Sequence, residues 1–106
     1  MGNRKIYKDQ QLCQQVSHAL AYCINEGDPA PIMECLRVDA VTPAPDASRL
    51  MVTVSFDSDD SDVLYDDVVR ALESNNSRLR FEVSQAINRK KTPQLAFCVV
   101  PFEASA

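Results

Sequence analysis

Leu50-Met51-Val52-Thr53-Val54-Ser55-Phe56 alternates large apolar residues with Met, Thr and Ser along its whole length. A period of two places Leu50, Val52, Val54 and Phe56 on one face of a pleated strand and the intervening residues on the other, which is the signature of a strand with one buried side. Just upstream, Pro43-Ala44-Pro45-Asp46 is a turn cluster. Before it, the segment Ile32 to Thr42 sets Leu36, Val38 and Ala40 against Arg37 and Asp39 in the same alternation. Two such runs joined by a short, proline-containing polar connection predict an antiparallel hairpin, with Leu36, Val38 and Ala40 sharing its apolar face.

Working outward, Tyr7 to Glu26 carries Leu12, Val16, Ala19, Leu20 and Cys23 at steps of three and four, the pattern of one amphipathic helix, which Gly27 stops. Asp28-Pro29-Ala30-Pro31 reads as a non-helical connector, because its prolines fix the backbone and lack donors. On the other side of the hairpin, the acidic run Asp57 to Asp62 is suited to capping a helix N-terminus. The helix it introduces shows Leu64, Val68, Ala71 and Leu72 on one face as far as Ser74. Asn75-Asn76-Ser77, three residues that favour turns and caps, then predict an interruption. A third helix follows from Arg78, with Leu79, Val83, Ala86 and Ile87 within an arc of roughly 80 to 180° and Arg78, Glu82, Gln85 and Arg89 on a separate polar stripe. Phe81 lies outside both, and is expected to pack on another helix, with stacking on a nucleic-acid base as the alternative. Arg89-Lys90-Lys91 ends this helix, Thr92-Pro93 prevents its continuation, and Leu95, Phe97 and Val99 alternate as a last strand. The order α-β-β-α-α-β implies an α+β two-layer domain, helices on one face of a three-stranded sheet, spanning residues 4–101 with a frayed tail at 102–106.

Composition narrows the function. The 106 residues, 45% hydrophobic and 25% charged, suffice for one core. Only Gly2 and Gly27 are glycine, so no glycine-rich phosphate loop can be written in the chain. Cys13, Cys23, Cys35 and Cys98 form no CxxC pair and read as buried thiols of a reducing compartment. His18 lies five residues from both Cys13 and Cys23, about 140° around a helix in each direction, which excludes a shared metal. The acidic run lacks the spacing, glycine and distal glutamate of an EF-hand. No metal or other cofactor is expected. No apolar run follows Met1 to Asp9, and Leu95 to Pro101 is too short to cross a bilayer, so a cytoplasmic protein without membrane contact is expected. No nucleophile and base pair is visible, so the chain is not expected to be an enzyme.

The net charge of -4 argues against a nucleic-acid partner until it is resolved along the chain. Residues 1–10 carry Arg4, Lys5 and Lys8 against Asp9. Residues 26–67 carry eleven acids against Arg37 and Arg49. Residues 70–91 carry Arg70, Arg78, Arg80, Arg89, Lys90 and Lys91 against Glu73 and Glu82. The acidity is therefore regional, and the basic helical region can face phosphate. On charge alone a solvated face, with Arg78 and Glu82 paired four residues apart, is the favoured reading.

The stretch from Ala71-Leu72 through Arg80 to Thr92-Pro93-Gln94-Leu95-Ala96-Phe97 resembles the corresponding part of the ribosome-binding factor A family, without a gap. Val41 to Asp46 followed by Met51 to Phe56 is similar to that family's strand, turn and second strand, and the opening helix with Asp28-Pro29 also fits. The resemblance covers residues 4–100. It implies a type II KH-like domain acting as a monomeric assembly factor that contacts small-subunit ribosomal RNA, and ribosomal proteins around it, during late 30S maturation, with an association with growth in the cold. It implies a helix kink at Asn75, Asn76 and Ser77, where the family has Ala-x-Gly. Arg80 falls on the family's arginine just after the kink and Arg89-Lys90-Lys91 on its basic helix end, which implies RNA contact there; by their charge Arg78, and Lys5 and Lys8 from the first helix, are expected to join them. The other reading is a protein-interaction domain whose acidic surface around Asp57 to Asp67 engages a basic partner without touching RNA.

Overall fold

The hairpin expected around residues 36–56 forms the middle and one edge of the sheet. The computed structural model of the chain describes residues 3–57, 64–87 and 89–102. In chain order these contain α1 (Asn3–Cys23), continued by a 3-10 turn (Ile24–Glu26), a short α2 (Ala30–Met33), β1 (Leu36–Pro43), β2 (Arg49–Asp57), α3 (Tyr65–Ala86) and β3 (Gln94–Phe102). The sheet order is β1-β2-β3. β1 pairs antiparallel with β2, from Leu36 opposite Phe56 to Pro43 opposite Leu50, whereas β3 runs parallel to β2, from Gln94 beside Arg49 to Phe102 beside Asp57.

The expected two-layer α+β architecture holds. Leu50, Val52, Val54 and Phe56 are all buried, and Leu95 and Val99 join them on the same face. Leu12, Val16, Leu20 and Cys23 of α1 and Val68, Ala71, Leu72, Leu79 and Val83 of α3 cover that face. Each fully buried aliphatic side chain contributes about 1.5–3 kcal/mol, so this shared layer holds the fold together.

Four local expectations are corrected. First, α3 is one continuous helix of 22 residues, with no interruption at Asn75, Asn76 and Ser77. No non-glycine residue among those described has a positive φ. The apolar phase of Val68, Ala71, Leu72, Leu79 and Val83 runs straight through Asn75, which is itself buried. Its side chain donates to the Ala71 carbonyl at 2.7 Å and to the Asp28 carbonyl at 2.7 Å. Asn76 donates to the Leu95 carbonyl at 3.3 Å. Asn costs a helix several tenths of a kcal/mol relative to Ala, and hydrogen bonds worth about 1 kcal/mol each outweigh that. Secondly, α3 ends at Ala86, not at Arg89-Lys90-Lys91: Ile87 has extended backbone, ψ 155°, and its N–H closes the helix on the Val83 carbonyl at 3.1 Å. Hydrogen bonds from Arg80 hold the segment that follows, at Thr92 and Pro93, just before β3.

Thirdly, the connector after Gly27 contains a helical turn, Ala30–Met33, and β1 begins only at Leu36. Pro31 sits in its first turn, where a missing N–H removes no hydrogen bond. Fourthly, the pairing of β1 with β2 shifts between Val38 and Ala40. This β-bulge adds a residue to β1, so Val41, half-buried, replaces Ala40 on the core face and Ala40 is exposed. At the other end β3 extends through Phe102, one residue beyond the expected domain edge. Of the expected acidic capping run 57–62, Asp57 ends β2 and the rest lies outside the described residues, as does the expected tail 102–106 beyond Phe102. The cap seen is Asp67, whose carboxylate accepts the Leu64 N–H at 3.2 Å.

Candidate nucleic-acid interface

Parallel pairing of β2 and β3 brings together chain segments that are distant in sequence. The start of β2 lies beside the start of β3, and the Gln94 N–H donates to the Ser48 carbonyl at 3.0 Å. The turn before β2 is locked: Asp46 Oδ1 accepts the Ser48 N–H at 2.8 Å and its hydroxyl at 2.6 Å, and the Ala44 N–H donates to the Arg49 carbonyl at 2.8 Å. The segment entering β3 is held by Arg80. Its Nε donates to the Pro93 carbonyl at 3.2 Å and its Nη2 to the Thr92 carbonyl at 3.0 Å. Arg80 is half-buried in doing so, which leaves its other N–H groups for a ligand.

Between the β1–β2 turn, this segment and the N-terminal part of α1 lies an open cleft of about 910 Å³. Lys8, Arg80, Arg89 and Lys91 line it, opposed by Asp9 and Asp46, and Ser48, Thr92 and Gln94 add polar groups. Lys8, Arg89 and Lys91 are exposed and Asp9 is half-buried. Four cations against two carboxylates, one of which is engaged by Ser48, make a site for a polyanion. A planar guanidinium anchored by the backbone beside mobile ammonium groups is a donor set that suits phosphate oxygens.

The cations expected from the sequence thus divide. Arg80, Arg89, Lys91 and Lys8 converge on the cleft. Lys90 is exposed and does not line it. Lys5 lies near the start of α1, and its side chain falls outside the described residues. Arg78 points the other way, toward the C-terminal end of α1: its Nη1 donates to the Cys23 carbonyl at 3.2 Å and its Nε to Asn75 Oδ1 at 3.3 Å. Its Nη2 is buried without a hydrogen-bond partner. Two residues along a helix is about 200° of rotation, enough to send Arg78 and Arg80 to opposite sides of α3. Asn75 is buried beneath Gly27, Asn76 is half-buried against β3, and Ser77 alone of the three is exposed.

Sequence reasoning missed Asp9, Asp46, Ser48, Thr92 and Gln94 as lining residues. The signal was absent because nothing in the sequence shows which edge of the hairpin receives β3, or in which direction. Phe81, expected to pack on another helix, is 61% exposed instead. Of the acidic run, Asp59, Asp60 and Asp62 lie outside the described residues and Asp66 is exposed.

The thiols take no part in the cleft. Burial pushes the Cys13 thiol above its ordinary value, and nearby Asp9 adds to this. Burial also raises Cys23, with Glu82 and Glu26 reinforcing the shift and Arg78 opposing it. Among the described residues no three His, Cys, Asp or Glu side chains gather as metal ligands, and no helix is long and apolar enough to cross a membrane.

No protein-family model matches the chain, and no curated protein does so either. Solved structures are similar over nearly its whole length. The crystal structure of ribosome-binding factor A from Thermus thermophilus superposes with a TM-score of 0.72 at 28% identity, covering 92% of this chain and 99% of that one. A homology model of Thermus thermophilus ribosome binding factor A, fitted into a cryo-EM map of its complex with the 30S subunit, gives 0.63 at 28% identity, covering 88% and 93%. A Thermotoga maritima candidate for the same factor, solved by NMR in solution, gives 0.63 at 19% identity over 100% and 96%, and speaks to the fold alone. The sequence resemblance runs through the same strands, turn and helix, so the chain is similar to ribosome-binding factor A in sequence pattern and in fold over nearly its whole length.

Proposed function

We propose that this protein is an assembly factor that binds the small ribosomal subunit by holding ribosomal RNA phosphates in the cleft between α3, β3 and the N-terminal part of α1, during late 30S maturation. The observation that carries the reading is the convergence of Lys8, Arg80, Arg89 and Lys91, from three separate segments, on one cleft. The similarity to a factor fitted into a complex with the 30S subunit supports it. In this reading Lys5 and Lys90 flank the contact, while Arg78 and Asn75 serve the scaffold. The protein acts as a monomer, by binding and not by catalysis, in the cytoplasm where subunits are assembled.

Affinity for naked small-subunit ribosomal RNA, measured as a function of salt, tests this. Four phosphate contacts predict a fall of about 50-fold between roughly 50 and 200 mM salt. Reversing Arg89 and Lys91 to Glu should lower the salt slope by about half. Binding that ignores salt, or that requires a ribosomal protein to be present, overturns the reading in favour of a protein partner. Loss of the gene should be felt most in cold-grown cells, as accumulation of immature small subunits.

A further inference from the structure

The cleft accounts for the cations beside it but leaves Phe81 without a role. Phe81 occupies the middle of the outward face of α3. At 100° per residue it lies about 200° from Leu79, which is fully buried. The other residues within about 40° of it, Asp67, Arg70, Ser74, Ser77 and Gln85, are all polar. A helical side chain leans over the preceding turn, here the turn of Ser77 and Arg78. Ser77 is too small to cover a ring, and Arg78 is drawn inward to the Cys23 carbonyl. Ser74 turns its hydroxyl back onto the Arg70 and Ala71 carbonyls at 3.1 and 3.2 Å, and Ser84 turns its own onto the Phe81 carbonyl at 2.6 Å. The turn beneath the ring is therefore low, and the charged residues of the same face, Arg70 and Asp67, lie about three and four turns away along α3.

A single exposed apolar side chain is ordinary on a protein surface; what distinguishes Phe81 is its neighbour. Arg80, one peptide bond away, lines the cleft, and adjacent Cα atoms are only about 3.8 Å apart. Polar neighbours on every side make this no apolar patch for a protein partner. They suit a nucleotide whose phosphate lies at Arg80 and whose base lies flat on the ring. A base inside a duplex has no free face to offer, whereas an unpaired one does. Resting on the reading of the cleft as an RNA phosphate site, we propose that the RNA it receives is single-stranded, with one base stacked on Phe81.

The test uses the full chain, a short RNA strand without self-complementarity, and the same strand annealed to its complement. Phe81→Ala should weaken single-strand binding about 5- to 150-fold, the range expected of one lost stacking contact. It should leave duplex binding and the salt slope unchanged, since no phosphate contact is removed. The chain contains no tryptophan, so Phe81→Trp supplies a lone indole, excited selectively over the tyrosines, whose emission should change on adding the single strand and not the duplex. Tyr22, 83% exposed on α1 and fourteen residues or about 21 Å from Lys8, is the control: Tyr22→Ala should bind as wild type. If the wild type binds neither RNA in a salt-dependent manner, the cleft reading fails and the proposal with it. If reversal of Arg89 and Lys91 abolishes binding while Phe81→Ala binds as wild type, the cleft reading stands and the stacking proposal is overturned.

Discussion

Asn75 shows how a polar residue can occupy a core position without breaking a helix. It is 7% exposed, and its amide N–H joins α3 to the chain leaving α1 by donating to the Asp28 carbonyl, while its oxygen accepts from Arg78 Nε within α3, whose Nη1 in turn reaches the Cys23 carbonyl. The same close approach explains Gly27. Its backbone is ordinary, φ -83°, so conformation is not the reason for glycine. A Cβ there would stand 2.5 Å from Asn75 Oδ1 and 2.6 Å from Arg78 Nη2. Gly27→Ala should therefore destabilise the protein by about 1–3 kcal/mol in denaturant unfolding. Combined with Asn75→Ala, which removes the nearest obstacle, it should cost less than the two separate losses added together. The buried thiols give a second expectation at this scale. Cys13 and Cys23, raised by burial, should resist alkylation in the folded state, while exposed Cys98 reacts first, as mass spectrometry of partial labelling would show. The sign for stability follows: the neutral thiols favour the fold below the ordinary thiol value of 9.0, and this contribution is lost as pH rises from there through the raised values.

At the scale of elements, the strongest periodicities were legible and the exceptions were those in which a tertiary partner decides. β2 needed nothing beyond its own alternation, since all four predicted core residues are buried. β1 keeps its phase only as far as Val38, because a bulge leaves no mark in a short alternating run and Ala40 is small enough to sit on either face. α3 reads as two helices because Asn75 and Asn76 are weak helix formers, and their partners at Asp28 and Leu95 cannot be seen from local sequence. A sharp test separates one helix from two. Ser77 is exposed and inside α3, so Ser77→Pro touches no packing but removes an internal hydrogen bond and clashes with the preceding turn, for a loss of about 3 kcal/mol or more. At a true interruption with Ser77 capping a following helix, proline in its place would cost far less. Thermal and denaturant unfolding of the variant, with helicity followed by circular dichroism, reads the difference.

For the whole molecule, the charges of the site were legible in the sequence but their grouping was not, because grouping follows from the parallel docking of β3 beside β2. That docking sets Arg80 between two tasks. Its guanidinium donates to the Thr92 and Pro93 carbonyls, and so positions the very segment that carries Arg89 and Lys91 into the cleft. Arg89 is exposed and carries only its charge. The two residues should therefore separate in a pair of measurements. Arg89→Ala should lower RNA affinity and reduce the salt slope by roughly 0.7–0.9, leaving stability within about 0.5 kcal/mol of wild type. Arg80→Ala should reduce the slope by a similar amount and also lose about 1–2 kcal/mol of stability, as two partly solvated charge-assisted bonds are removed. Backbone amide exchange in residues 89–93 should quicken in Arg80→Ala and not in Arg89→Ala, because only the first loses an anchor of that segment. Arg80→Lys supplies a further discrimination: a lysine restores the charge and with it most of the salt slope, but its single ammonium cannot span both carbonyls, so the faster exchange and part of the stability loss should persist. If Arg80→Lys recovered both properties, the guanidinium's bonds to the entry of β3 would carry no weight and the cleft would be held open by the pairing of Ser48 with Gln94 alone.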